Sequence, residues 1–149
     1  MFNYGSASKN QLTKWIEEGY LQSAPADIAS TVDWTNEAHP LELRVRSYLD
    51  INCAHCHKEG AHCDYRPIRL AFNETTNQAN LGVCIQPHEP IGSATHIVAP
   101  GKPLRSMMYY RMNTTNAAEK MPLLGRNLIH TEGVELIGEW ITSLEGTCP

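Results

Sequence analysis

The side chains with most chemistry to offer are five cysteines and seven histidines, and four of them fall within five positions, Cys53-Ala54-His55-Cys56-His57. The pattern is C-x-x-C-H, the spacing of covalent c-type haem attachment, and in a chain of this composition it arises by chance roughly 0.008 times. Two thiols one helical turn apart can each add to a vinyl group on one edge of a porphyrin. The histidine beside the second thiol then reaches the iron from the proximal face. Cys53 and Cys56 are therefore the expected thioether residues of a single haem, and His57 its expected iron ligand.

The same residues admit other chemistry. A C-x-x-C pair can be half of a zinc site, with His57, His62 or Cys63 as further ligands, but a second C-x-x-C or an H-x-x-x-H pair at ordinary spacing is absent. A dithiol oxidoreductase needs a strand–motif–helix context, whereas here a helical pattern precedes the motif and loop composition follows it.

An iron held by His57 needs a sixth ligand or keeps an open site. Of Met1, Met107, Met108, Met112 and Met121, the last suits the role best. It stands 64 residues beyond His57 in an irregular stretch before Pro122, where the backbone is free to aim a sulfur. A thioether ligand would favour reduced iron. Met107, Met108 and Met112 fall in a helical pattern, where methionine usually fills core. Met112, or a histidine such as His88, His96 or His130, is the alternative ligand, and an open position would make the chain a sensor or a haem enzyme.

These residues need elements to position them. The chain has 149 residues, 42% hydrophobic and 19% charged, the composition of one globular domain able to bury a core. Only two are phenylalanine, which leaves room in the core for a large apolar group. Leu12, Trp15 and Ile16 at helical spacing predict a short helix ended by Gly19, followed by an irregular strap to His39 anchored by Trp34. Together they form a lead-in segment over 1–40, with the haem domain expected over 41–149.

Pro40 opens a helix whose buried face is Leu41, Val45, Tyr48 and Leu49, with Arg44, Arg46 and Asp50 off that face, and it runs directly into Cys53. Residues 59–100, rich in Gly, Asn, Thr and Pro, read as loop with at most a short strand. A second helix is predicted from Leu104 to about Met112, and a third from an N-cap at Thr131 through Val134, Ile137, Trp140, Ile141 and Leu144.

Twelve basic against sixteen acidic residues, a net charge of −4 with no Lys/Arg block, argue against nucleic acid as partner. No apolar run is long enough to span a bilayer. Met1-Phe2-Asn3-Tyr4-Gly5 has neither a basic nor an apolar export region, so any signal peptide is expected to be missing from this sequence.

Taken in order, Tyr48-Leu49-Asp50-Ile51-Asn52-Cys53-Ala54-His55-Cys56-His57, Val98-Ala99-Pro100-Gly101-Lys102-Pro103, Tyr110-Arg111-Met112, Met121-Pro122-Leu123-Leu124-Gly125 and Glu139-Trp140-Ile141 form a motif series. It resembles that of class I c-type cytochromes, in the branch found in bacterial exported proteins beside propellers similar to quinoprotein sugar dehydrogenases. The resemblance spans about residues 41–144, and Asn10–Leu21 is similar to the lead-in that often precedes it.

The resemblance implies an all-α fold with three main helices around one covalent haem. Cys53 and Cys56 match the thioether positions, His57 the proximal ligand and Met121 the distal one. The first and last of the three helices would cross, packing Tyr48 or Leu49 near Trp140. It further implies single-electron transfer in a periplasmic or otherwise extracytoplasmic setting, from a redox partner such as a quinoprotein dehydrogenase, with no substrate chemistry in the chain itself. The long loop between His57 and Pro100 departs from the simplest cytochromes.

Three cysteines remain. In an oxidising compartment a Cys63–Cys84 bridge would staple the long loop, with Cys148 free or competing for one of those partners. Arg111, beside Met112, is the first candidate to hold a haem propionate, ahead of Arg126, Arg105, Arg66 and Arg69. The Pro67 carbonyl is a candidate acceptor for the His57 Nδ1–H, as second support for a metal-bound imidazole, or Pro67 is an ordinary loop proline.

Overall fold

A computed structural model describes residues 10–26 and 28–149. The reading of Met1–Gly5 lies outside them. The described residues contain four α-helices and no strand, an all-α arrangement. The chain divides into two compact units at Thr31/Val32.

In the first unit, α1 (Gln11–Glu17) starts where Asn10 Oδ1 accepts from Thr13 N at 2.9 Å, a side-chain N-cap. It stops at Glu18, and Gly19 follows with φ +78°, a left-handed backbone that glycine adopts without steric cost. None of its residues is buried.

The second unit, Val32–Pro149, holds α2 (Leu41–Cys53), a 3₁₀ turn (Pro103–Arg105), α3 (Met107–Met112) and α4 (Thr131–Ser143). Its first residues pack against α2 and the core. Trp34 lies against the core, Val32 N donates to Ser47 Oγ at 2.9 Å, and Arg44 Nε donates to Trp34 O at 2.8 Å.

The core joins Val45, Tyr48 and Leu49 of α2 to Val134, Ile137, Trp140 and Ile141 of α4, the two predicted stripes. Leu49, Ile137 and Ile141 are fully buried, each stabilising the fold by about 1.5–3 kcal/mol of transfer free energy. Met108 and Met112 of α3 complete one side, and Ile68, Leu70, Leu81, Ile97 and Val98 bring the long loop onto it. That loop has no strand, only isolated bridges at Val83–Val98 and His96–Ser106.

Three local expectations need correction. Arg46, assigned to the polar side of α2, is only 8% exposed: its guanidinium donates to Thr75 Oγ1 (3.0 Å) and Phe72 O (2.9 Å) and lies over the Phe72 ring. Asp50 Oδ1 accepts from Phe72 N at 2.8 Å, so the returning loop covers a face that helical periodicity leaves open to water. The helix expected from Leu104 breaks at Ser106, whose extended backbone (φ −103°, ψ 120°) separates the 3₁₀ turn from α3. There the fully buried Ser106 Oγ accepts from Ala99 N at 2.9 Å and donates to Lys102 O at 3.0 Å. Finally, the N-cap of α4 is His130, with no side-chain cap bond, and Thr131 is the first helical residue.

The α2–α4 packing depends on Gly133. A Cβ there would lie 2.1 Å from Tyr48 Oη and 2.4 Å from its Cζ. Tyr48 is not free to swing away, because Oη bonds His130 Nδ1 at 2.9 Å and its ring sits edge-on to Trp34 at 5.2 Å. Gly133→Ala gains roughly 1 kcal/mol of helix propensity and loses roughly 1–3 kcal/mol to overpacking. A net destabilisation of up to about 2 kcal/mol is expected in urea unfolding; a raised midpoint would mean that the helices separate freely here.

Candidate functional site

The end of α2 builds the site. After Cys53 the chain keeps turning, since Cys56 N and His57 N both donate to Cys53 O, at 3.1 and 3.0 Å. This turn carries Cys53, Cys56 and His57 onto the wall of one cavity. The following loop is tied back by Cys63 N to Cys56 O (3.0 Å) and Leu70 N to His57 O (2.7 Å).

The cavity has a volume of about 380 Å³ and a mostly apolar wall. That lies within the range of small-molecule and cofactor sites, roughly 300–1,000 Å³. Met107, Met108, Met112, Arg111 and the cis Met121–Pro122 pair supply further parts of its lining. Met112 is buried in the core, whereas Met121 is half-buried on the loop between α3 and α4, its N–H donating to Arg111 O at 2.9 Å. Among the alternative ligands, His88 is exposed at the cavity rim, and His96 and His130 lie outside its lining.

His57 Nδ1 is buried and makes no hydrogen bond. The candidate Pro67 carbonyl is not bonded to it, which leaves Pro67 as a loop proline on the cavity wall: the carbonyls on either side, Arg66 O and Ile68 O, accept from the Arg69 guanidinium at 2.7 and 2.8 Å. Burial, and then the charges of Arg66, His55 and Arg69, hold the His57 pKa below the usual imidazole value. The ring is thus neutral at neutral pH, the form that ligates metals.

Burial pushes the Cys53 thiol up to about 12, with Cys56 adding to the rise. A reactive dithiol needs the opposite, a lowered pKa. Among the described residues no three His, Cys, Asp or Glu side chains converge to hold a metal ion, although His62 and Cys63 also line the cavity. The cavity wall therefore carries the Cys53, Cys56 and Cys63 thiols and the neutral His57 imidazole beside an apolar space, with no convergence of ligands into a zinc cage among the described residues.

The disulfide joins Cys84 to Cys148, with Cα atoms 5.1 Å apart, and Cys63 is a free thiol. The Cys63–Cys84 expectation is thereby overturned. Cys63 is held at the cavity by its backbone bond to Cys56, while the Cys84 backbone pairs with Val98 and meets the tail that follows α4.

Arg111 lines the cavity, with Nη1 donating to Glu119 O at 2.9 Å. A smaller cavity of about 230 Å³ shares Asn52, Cys53, Met112 and Met121 with the first and adds Tyr48, Arg126 and His130. Arg126 braces the loop bearing Met121, donating from Nη1 to Met112 O and from Nη2 to Arg111 O and Thr114 O. Sequence reasoning placed Arg126 behind Arg111 and gave Asn52 and Tyr48 no part in the site. Their sequence signals are the positions of Tyr48 and Asn52 in the run that leads into Cys53 and the five-residue step from Met121 to Arg126.

Fold and site together define an all-α domain whose thiols and imidazole line an apolar, cofactor-sized cavity. Against known protein families, curated proteins and solved structures, the chain shows no match.

Proposed function

We propose that this chain transfers single electrons through one covalently bound c-type haem. The observation that carries this reading is that Met121, 64 residues beyond His57, lies on the wall of the same apolar cavity as Cys53, Cys56 and His57. A haem held there supplies one-electron iron(III)/iron(II) chemistry.

The residues divide the work of holding it. Cys53 and Cys56 supply the thiols for two thioether bonds. His57 would hold the iron through a neutral imidazole and Met121 through a thioether sulfur, a ligand that favours reduced iron. Arg111 offers a cationic donor to a carboxylate at the cavity wall. The scarcity of phenylalanine fits a core completed by a porphyrin.

The chain has no substrate chemistry of its own in this reading. It accepts electrons from an associated or fused dehydrogenase, such as a quinoprotein, in an extracytoplasmic compartment. The Cys84–Cys148 bridge accords with that compartment, since disulfides persist where the surroundings are oxidising. No described helix is long and apolar enough to cross a membrane.

Expression with a haem-attachment system tests the proposal. The expected product is red, keeps its haem through a denaturing gel, and shows a far-red iron–thioether band when oxidised. Ready CO binding on reduction without that band would replace electron transfer by a sensor or open-site haem protein, and a colourless product containing zinc would discard haem altogether.

A further inference from the structure

The loop that follows the two thiols is pinned to them at both ends. Cys63 N donates to Cys56 O at 3.0 Å and Leu70 N to His57 O at 2.7 Å, so residues 64–69 return as a short bridge between two bonds to the Cys56-His57 backbone. Arg66, Pro67 and Ile68 of this bridge line the cavity together with His57.

One side chain gathers the bridge. The Arg69 guanidinium donates from Nη1 to Arg66 O and Ile68 O, at 2.7 and 2.8 Å, and from Nη2 to Asp64 O at 2.7 Å. Arg69 N donates in turn to Asn80 O at 2.9 Å, which anchors the residue to the long loop, and Cys63 O is taken by Arg66 N at 3.0 Å. His57 Nδ1 is buried and bonds to none of these carbonyls.

A metal-bound imidazole ordinarily gives its other N–H to a carbonyl, carboxylate or water, which raises the basicity of the ligating nitrogen. Leaving such an N–H buried without an acceptor is costly. Here the acceptors of the bridge are committed to a charged donor, the stronger partner.

We propose that Arg69 is a positioning residue for His57: by holding the carbonyls of the 64–68 bridge it withholds an acceptor from the His57 Nδ1–H and keeps the imidazole a weak donor to iron. This rests on the haem reading. A less basic proximal ligand stabilises iron(III) less, so Arg69 holds the reduction potential up, in the same direction as the Met121 thioether. The charge of Arg69 acts that way too, so the test keeps the charge and removes the fork.

Arg69→Lys retains the cation but replaces a planar set of donors by a point charge. Reduced, haem-loaded wild type and variant, ¹⁵N-labelled at histidine, are compared at the His57 Nδ1–H by NMR and in potential by potentiometry. In the wild type this signal is expected to lie upfield of a hydrogen-bonded imidazole N–H. In Arg69→Lys a released carbonyl accepts it: the signal moves downfield and exchanges with solvent about tenfold more slowly, and the far-red band stays. The potential falls by the equivalent of about a tenfold change in the iron(III)/iron(II) equilibrium, about 59 mV for one electron.

A wild-type signal already downfield and slow to exchange overturns the proposal, whether or not the variant folds. So does an unmoved signal in loaded Arg69→Lys with its far-red band intact, even if the potential falls, and so does a moved signal at unchanged potential. Each of these leaves the haem reading standing. If the chain takes no haem, that reading fails and the haem-free ring decides the role of Arg69. Release of a carbonyl in Arg69→Lys is expected to shift the His57 tautomers toward Nδ1–H, read from the ring ¹⁵N shifts, and unchanged populations overturn it.

Discussion

Met121→Ala is expected to abolish the far-red iron–thioether band of the oxidised, haem-loaded protein and to lower its reduction potential, whereas Met112→Ala leaves both in place. Both sulfurs belong to residues of the same cavity wall, so position alone does not separate them. Their support does. Met112 is 8% exposed in the core beside α4, and its truncation removes packing, worth about 2–5 kcal/mol of stability.

Met121 stands outside any helix, half-buried, on a segment held by its own N–H to Arg111 O and by the Arg126 brace. On the haem reading, its loss would withdraw a soft ligand that favours reduced iron. The fall in potential should be on the order of 0.1 V or more, part of the roughly 0.8 V that axial ligands command. Potentiometry with absorption spectroscopy reads both effects, and the reverse pattern would move the ligand to Met112.

Removing the Cys84–Cys148 bridge in the Cys84→Ser/Cys148→Ser protein is expected to cost about 2–4 kcal/mol in urea unfolding, while Cys63→Ser costs little. The bridge spans 64 residues, a long loop to leave open in the unfolded chain. It fastens the tail beyond α4 to the loop that supplies Pro87 and His88 to the cavity rim. The paired design matters: if Cys63→Ser destabilised as much as the double variant, Cys63 and not Cys148 would be the partner in solution. Cys84 has φ +57°, a costly backbone for a residue with a Cβ, and serine keeps that cost, so the comparison isolates the crosslink.

The elements most legible in sequence are those whose signal is local. The α4 stripe of Val134, Ile137, Trp140 and Ile141 is buried as its spacing requires, and α2 opens after Pro40 and delivers Cys53 at its end. Ser106 defeats the same method, because its break answers to Ala99 and Lys102, which lie outside the helical pattern. Arg46 defeats it too. Periodicity counts charges as solvated, and here Phe72 and Thr75 return from more than twenty residues away to pair with the guanidinium.

The sequence by itself determined the chemistry within one turn of chain: two thiols and an imidazole at C-x-x-C-H spacing, at the end of an amphipathic helix, in an all-α chain. Only the tertiary structure decided which distant groups face them. It brought Met121 to the cavity of His57, left His57 Nδ1 without the Pro67 carbonyl, gave Cys84 to Cys148 and left the buried Arg126 Nε–H unpaired. The physical reason is range. A helical turn fixes neighbours through backbone bonds three or four residues apart, but partners across a cavity are chosen by how the whole core packs, and three spare cysteines carry nothing in their spacing that selects a pair.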